Sequence, residues 1–182
     1  MPHVVAVILG SDSDLKHVDE SGMLESLTAL GLTWELSVIS AHRNPDALRA
    51  YCLQNESEHK GVSVYIAVAG MAAHLPGVLA AELHAARPVI GVPIPLDVLD
   101  GMDALLSMVR MPPGFPVAVP GIGRSGLRNA AILAAQILAG SDPTVAAALD
   151  VYVKKNWKLA QVRILKGGPH EPESSIAVSA TQ

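Results

Sequence analysis

A histidine and an arginine stand side by side in a turn between a predicted strand and a predicted helix. The turn reads Ser40-Ala41-His42-Arg43-Asn44-Pro45-Asp46. An arginine can pair with a phosphate through two hydrogen bonds, and a histidine can give and take a proton near neutral pH. The same turn also suits an ordinary helix start, with Asn44 as N-cap and Pro45 at the first helical position.

Two other loops carry residues suited to a nucleotide. The stretch Gly10-Ser11-Asp12-Ser13-Asp14 brings hydroxyls and backbone N–H groups to a helix N-terminus for a phosphate, and carboxylates for ribose hydroxyls. Residues 70–77 form a loop of small residues with one imidazole, His74, where the backbone can approach a ligand closely. Simpler interpretations stay open, namely capping by Ser11 or Asp12 in the first loop and a structural histidine in the second.

The elements that must position these loops alternate along the chain. Apolar, β-branched runs predict buried parallel strands at residues 4–9, 34–39, 62–68, 88–92 and 117–119, with helices between them. The first helix is expected to break at Gly22. This alternation predicts a three-layer αβα fold with a flavodoxin-like parallel sheet of about five strands in the order 2-1-3-4-5. In that order the three loops meet at the carboxyl edge of the sheet.

The same reading predicts the domain organisation. Residues 1–166 form one catalytic domain, whose last helix runs from 142 to about 165. Residues 167–182, which begin Gly167-Gly168-Pro169, form a mobile tail.

Composition narrows the class of protein. Only 16% of the residues are charged and half are hydrophobic, which favours subunit contacts. The net charge of -4 offers no basic stripe for nucleic acid. Cys52 is the single cysteine, so there is no disulfide framework or thiolate metal cluster. No apolar run approaches the length of a membrane span, and no signal segment is evident, so a cytoplasmic protein is expected.

Together the three loops closely resemble the class I catalytic subunit of phosphoribosylaminoimidazole carboxylase, also called N5-carboxyaminoimidazole ribonucleotide mutase. Further matching motifs extend the resemblance over roughly residues 4–140. They are Gly91-Val92-Pro93, residues 99–109, Met111-Pro112-Pro113-Gly114, Ile122-Gly123 and Asn129-Ala130-Ala131.

This resemblance implies an enzyme of de novo purine biosynthesis that works without a metal or other cofactor. It moves a carboxylate from the exocyclic nitrogen to ring carbon C4 of a ribonucleotide. It also implies a homo-octamer and a functional link to an ATP-dependent N5-carboxyaminoimidazole ribonucleotide synthetase.

The family's functional residues can be carried over to matching positions of this chain. His42 matches the general acid/base. Arg43, Ser13 and Ser40 are assigned to the phosphate and Asp14 to the ribose, with Ser11 as a further substrate-binding position. The residues expected to line the base and confine carbon dioxide are Gly70, Ala72, Ala73, His74 and Leu75.

Three departures from the family pattern leave alternatives open. Asp14 and Ser40 are about two residues further apart than the family pattern leads us to expect, with Gly22 in the helix between them. Met71 stands where glycine is usual, and residues 119–124 differ around the family's Ala-Ile-Gly. The alternatives are a direct carbon-dioxide-dependent carboxylase of aminoimidazole ribonucleotide, a carboxylase of another heteroaromatic ribonucleotide, or a nucleotide-binding scaffold without turnover.

Overall fold

The computed structural model describes residues 4–57, 61–96, 99–156, 162–168 and 171–178. Four parallel strands alternate with seven helices in these ranges, and two further strands follow. The strands are β1 (Val4–Leu9), β2 (Thr33–Val38), β3 (Val62–Gly70), β4 (Val89–Ile94), β5 (Val162–Gly168) and β6 (Glu171–Val178). The helices are α1 (Leu15–Ser21), α2 (Met23–Ala29), α3 (Pro45–Ser57), α4 (Leu75–Glu82), α5 (Met102–Val109), α6 (Gly123–Ala139) and α7 (Pro143–Asn156).

The main sheet has the order β2-β1-β3-β4, with every neighbouring pair parallel. Its two inner strands are runs of valine, isoleucine and alanine whose side chains are almost all buried, since helices cover both faces. β2 lies at one edge and is correspondingly more exposed. This is the predicted flavodoxin-like α/β fold, and the predicted order holds for the four strands present.

The prediction of a fifth strand at residues 117–119 is wrong. Ala118 makes one isolated parallel bridge to Ile90, in which its N–H donates to the Val89 carbonyl and its carbonyl accepts from the Gly91 N–H. Pro116 and Pro120 flank this segment and lack the N–H groups that would extend the ladder. The segment therefore stays a single bridge beside β4.

The fourth strand is longer than predicted. β4 runs through Pro93, which pairs with Ala69 of β3, and ends at Ile94. A proline is compatible with a strand at the side of the sheet where no further ladder needs its missing N–H. The loop that follows β4 therefore begins at Pro95 and includes Leu96.

The helical break predicted at Gly22 is confirmed. Gly22 has φ +74° and separates α1 from α2. Arg128 of α6 lies against this break, because its Nε donates to the Ser21 carbonyl at 2.6 Å. The two short helices are thus tied to the long helix that covers the same face of the sheet.

The chain divides into two compact units, residues 1–149 and 150–182. In the second unit β5 and β6 pair as an antiparallel hairpin. The helix predicted to reach Leu165 ends at Asn156, and residues 162–165 are strand; residues 157–161 lie outside the described part. Val162 and Ile164 are β-branched, and Gly167 and Gly168 disfavour a helix, so the sequence here favours strand over helix.

The predicted boundary between a domain and a tail at residue 166 stays a prediction, and residues 169, 170 and 179–182 of that tail are not described. In the described ranges no helix has both the length and the apolar character needed to cross a membrane.

Candidate active site

An open pocket of about 330 Å³ lies where the four parallel strands end. Each strand of the main sheet contributes residues from its carboxyl end or from the loop that follows it. The lining residues are Gly10, Ser11, Ser13, Asp14, Ser40, Ala41, His42, Arg43, Ala69, Gly70, Met71, Ala72, His74, Leu75 and Leu96. This is the edge of a parallel sheet at which ligands bind in open α/β proteins.

The loop after β1 is ordered by its own side chains. A short 3-10 helix, Asp12–Asp14, begins after Ser11, whose hydroxyl accepts the Ser13 N–H. The Asp14 carboxylate accepts the Ser11 N–H at 3.1 Å, and the two bonds together form a capping box. The Ser13 hydroxyl donates to the Ser11 hydroxyl at 3.0 Å. The residues that cap this short helix therefore also line the pocket.

Asp14 is the buried carboxylate of the pocket, with 5% of its surface exposed. Burial raises the pKa of its carboxyl above the ordinary value, because the charged form loses hydration. The hydrogen bond from the Ser11 N–H and electrostatic interactions with His17 and Arg43 lower that pKa and oppose the effect of burial. Burial thus disfavours the charged carboxylate, and its polar neighbours partly compensate. The carboxyl lines the pocket, where a polar ligand could reach it.

The loop after β2 places Arg43 beside the first loop. Its guanidinium Nη2 donates to the Gly10 carbonyl at 3.1 Å, while its backbone N–H donates to the buried Ser40 hydroxyl at 3.3 Å. Pro45 is the first residue of α3, and the Asn44 carbonyl accepts the Leu48 N–H. The helix start expected at this turn is therefore real and coexists with the pocket.

His42 and His74 form a pair across the pocket. The His42 Nε2 and His74 Nδ1 atoms lie 2.9 Å apart, and the rings meet edge to face with centroids 5.0 Å apart. One nitrogen must donate and the other accept, so the tautomers of the two rings are coupled. Both side chains are exposed to the pocket. The pair can hold or pass a proton at the point where the two loops meet.

The loop after β3 approaches β4 closely. A Cβ on Gly70 would lie 2.9 Å from Leu96 Cδ1 and 3.2 Å from the Ile94 carbonyl oxygen, so only glycine fits without a shift of its neighbours. Met71 follows with φ +55°, in the left-handed region, and its side chain is 64% exposed. Leu96 therefore lies against the loop backbone and lines the pocket beside Met71.

The structure brings ten of the eleven predicted site residues to this pocket. Ala73 is the exception: it is 1% exposed and packs among core residues. The sequence did not identify Leu96 or the contact between His42 and His74. Residues 32 apart give no local signal of contact, and Leu96 follows a strand whose length was underestimated.

Four parallel strands flanked by helices, with a polar pocket on their exit loops, define an open α/β protein with a candidate ligand site at the carboxyl edge of the sheet. The family model for AIR carboxylase matches residues 4–158. The chain belongs to this family.

Curated relatives are similar over most of their length. N5-carboxyaminoimidazole ribonucleotide mutase from Pseudomonas aeruginosa is 46% identical over 152 residues, which cover 84% of this chain and 90% of the relative. The protein of the same name from Pyrococcus abyssi is 48% identical over 148 residues, 81% of this chain and 80% of the relative. The crystal structure of Treponema denticola PurE superposes with a TM-score of 0.73 at 27% identity, covering 84% of this chain and 90% of that one.

Proposed function

We propose that this chain converts N5-carboxyaminoimidazole ribonucleotide to 4-carboxyaminoimidazole ribonucleotide in de novo purine biosynthesis. The names of the curated relatives support the reaction. The observation that carries the proposal is a pocket that joins a histidine pair to a phosphate-suited arginine and to an apolar loop. A proton carrier, an anion site and an apolar surface beside the ring suit a carboxylate migration on a ribonucleotide.

The proposed reaction moves one carboxylate and returns every proton. The bond between the exocyclic nitrogen and the carboxylate carbon breaks, its electron pair stays on nitrogen, and nitrogen takes a proton. Carbon dioxide and aminoimidazole ribonucleotide are then held together. Ring carbon C4 attacks carbon dioxide, and loss of the C4 proton restores the aromatic ring.

His42 is the proposed proton carrier in both directions. It protonates the nitrogen as the first bond breaks and removes the C4 proton after the new bond forms. The ordinary pKa of an imidazole lies near neutral pH, so one ring suits both tasks. The 2.9 Å contact with His74 supports this role, since His74 fixes the orientation and tautomer of the His42 ring.

The polar residues have proposed roles in holding the ribonucleotide. Arg43 holds the phosphate together with Ser13 and Ser40, and Asp14 accepts hydrogen bonds from the ribose. Ser11 contributes its hydroxyl to the same loop. The residues proposed to lie beside the base are Gly70, Ala72, His74 and Leu75, with Ala73 packing behind them.

We further propose a homo-octamer in the cytoplasm that takes its substrate from an ATP-dependent N5-carboxyaminoimidazole ribonucleotide synthetase. Exposed apolar side chains on α5 support an assembly, because Met102, Leu106 and Val109 are each about half exposed and share one face of that helix. Bicarbonate is a weak electrophile, and an ATP-dependent ligase can activate it to form the carbamate that this step uses.

The test is interconversion of the two carboxyaminoimidazole ribonucleotides by the purified protein, with and without bicarbonate. The wild type should produce the N5-carboxy isomer from its 4-carboxy product. His42→Asn should fold and bind nucleotide yet lose nearly all turnover. His84→Asn is the matched control, since His84 is exposed, lies outside the pocket lining and has φ +49°, which asparagine tolerates.

Three results would contradict the proposal. Near-normal turnover of His42→Asn would remove the proton-transfer role. Exchange with free carbon dioxide and no isomer would indicate direct carboxylation. Nucleotide binding without turnover in the wild type would indicate a binding scaffold or another ribonucleotide.

A further inference from the structure

Met71 brings a thioether into the pocket. Of the described residues that line the pocket, Met71 is the one that contains sulfur, and its side chain is 64% exposed. Its backbone has φ +55°, which costs a residue with a Cβ free energy that glycine would not lose. The backbone therefore gives no reason for methionine at this position, and a function of Met71 must lie in its side chain.

The other sulfur atoms of the described ranges are buried or lie away from the pocket. Three belong to residues with at most 1% of their surface exposed: Met23, Cys52 and Met108. Met111 is half-buried, and it lies outside the pocket lining. Met102 is 50% exposed, but it lies on α5, also outside the lining. An oxidant that reaches the pocket from solution therefore meets the thioether of Met71.

The sheet order divides the pocket into a polar side and an apolar side. The loops after β1 and β2, which are neighbouring strands, supply hydroxyls, a carboxylate and the guanidinium of Arg43. The ends of β3 and β4, also neighbours, and the residues after them supply the apolar side, which includes Met71 together with Ala69, Gly70, Leu75 and Leu96. A ribonucleotide with its phosphate on Arg43 would thus extend its ring toward the Met71 thioether.

We propose that Met71 is a site of reversible oxidation by peroxides, and that its sulfoxide lowers the affinity of the pocket for the ribonucleotide. The inference rests on the proposed function. The sulfur lone pair forms a bond to one oxygen of hydrogen peroxide, and the bond between the two oxygens breaks. The second oxygen takes the proton of the first and leaves as water. Sulfur loses two electrons and the peroxide gains them.

The sulfoxide is polar where the thioether was apolar. Its oxygen accepts hydrogen bonds from water, and a ring that covers it must displace that water at a cost in free energy. The neighbouring side chains of Ala69, Leu75 and Leu96 have no donor that could replace the water. Oxidation should therefore weaken binding. A thiol-dependent methionine sulfoxide reductase can reverse the change, because two thiols supply the electrons and the oxygen leaves as water.

The experiment treats the purified wild type with hydrogen peroxide. Mass analysis of peptides locates the oxidised residues, and calorimetry measures the affinity for 4-carboxyaminoimidazole ribonucleotide before and after treatment. The peptide that contains Met71 should gain one oxygen atom, and the affinity should fall about threefold to thirtyfold, from the usual cost of desolvating a polar group. Sulfoxide reductases for both epimers, with dithiothreitol, should restore the affinity.

Three variants separate Met71 from the other residues that peroxide can reach. Met71→Leu keeps an apolar side chain of similar volume but has no sulfur, so its affinity should not change on treatment. Met71→Gln carries an unbranched side chain with a polar end and should bind weakly without any peroxide. Met102→Leu is the matched control, because it removes an exposed methionine outside the pocket lining and should respond to peroxide as the wild type does.

An unmodified Met71 after treatment, or an unchanged affinity once Met71 is fully oxidised, would overturn the inference. So would an equal loss of affinity in treated Met71→Leu, because the loss would then come from another residue. Turnover of the untreated wild type is measured in parallel. If the ribonucleotide is bound but not converted, the proposed function fails, while the mass analysis and the affinities still decide whether Met71 is the oxidation site.

Discussion

Arg43 is the residue on which the proposed phosphate site depends. Its Nη2 contacts the Gly10 carbonyl, and its charge helps to offset the burial that raises the pKa of Asp14. The guanidinium is a planar group with five donors, so one bond to a carbonyl leaves donors that can be directed at a phosphate. Its exposed position makes its contribution to folding small.

Replacing Arg43 with alanine should weaken ribonucleotide binding by about tenfold to a hundredfold, the usual value of charge-assisted hydrogen bonds. The melting temperature should stay close to that of the wild type, because the side chain is exposed. Calorimetric titration with the ribonucleotide and a thermal melt check both parts. Arg49→Ala is the control, since Arg49 is exposed on α3 and pairs with Glu82 away from the pocket lining. Unchanged affinity in Arg43→Ala would remove it from the phosphate site.

At the scale of elements, the pocket depends on helices that are pinned to the sheet. The Tyr51 hydroxyl of α3 donates to the Glu35 carboxylate of β2, which ties the helix after the His42 turn to the strand before it. The first turn of α6 also packs closely, because Gly126 lies against the backbone of Gly121. Such contacts hold the strand-exit loops in place.

A Cβ at Gly126 would lie 2.3 Å from the Gly121 carbonyl oxygen and 3.1 Å from Val92 Cγ1. Because backbone cannot yield as a flexible side chain does, Gly126→Ala should lose about 1–3 kcal/mol of stability. The apparent melting temperature should fall by several degrees in a thermal scan. Gly140→Ala is the matched control: its φ is -63° and the nearest neighbour of a new Cβ is 3.7 Å away. Equal melting temperatures for the two variants would contradict the close contact.

At the scale of the whole molecule, low charge and exposed apolar side chains both favour an assembly of several copies. Only 16% of the residues are charged, while Met102, Leu106 and Val109 present one apolar face of α5. A helix face of this kind is usually covered in a stable protein. The proposed octamer would supply that cover.

Light scattering tests the assembly. The wild type should have a mass near eight times 19.0 kDa. Leu106→Glu places a charge in the middle of the apolar face of α5 and should give a smaller species. Leu53→Glu, at a 55% exposed position on α3, should keep the wild-type mass. A monomeric wild type, or an unchanged mass for Leu106→Glu, would contradict this part of the proposal.

Features decided by neighbouring residues were predicted well. β-Branched runs defined the four parallel strands, and Gly22 marked the break between α1 and α2, because both signals depend on the local backbone. Predictions were wrong for two segments, one flanked by prolines and one paired with a strand later in the chain. Residues 117–119 have strand-forming side chains, but flanking prolines limit them to one bridge. Residues 162–165, predicted as the end of the last helix, instead lie in β5, which pairs with β6.

The sequence by itself determined the alternating fold and the three loops, since a polar or glycine-rich loop after each buried strand can be recognised residue by residue. Only the tertiary structure decided how those loops meet. β2 and β3 both flank β1, and this arrangement brings His42 within 2.9 Å of His74. The close approach of β3 and β4 sets Leu96 against Gly70, and the left-handed backbone of Met71 emerges in the same loop. Distances across a sheet depend on strand order and register, which local sequence does not encode.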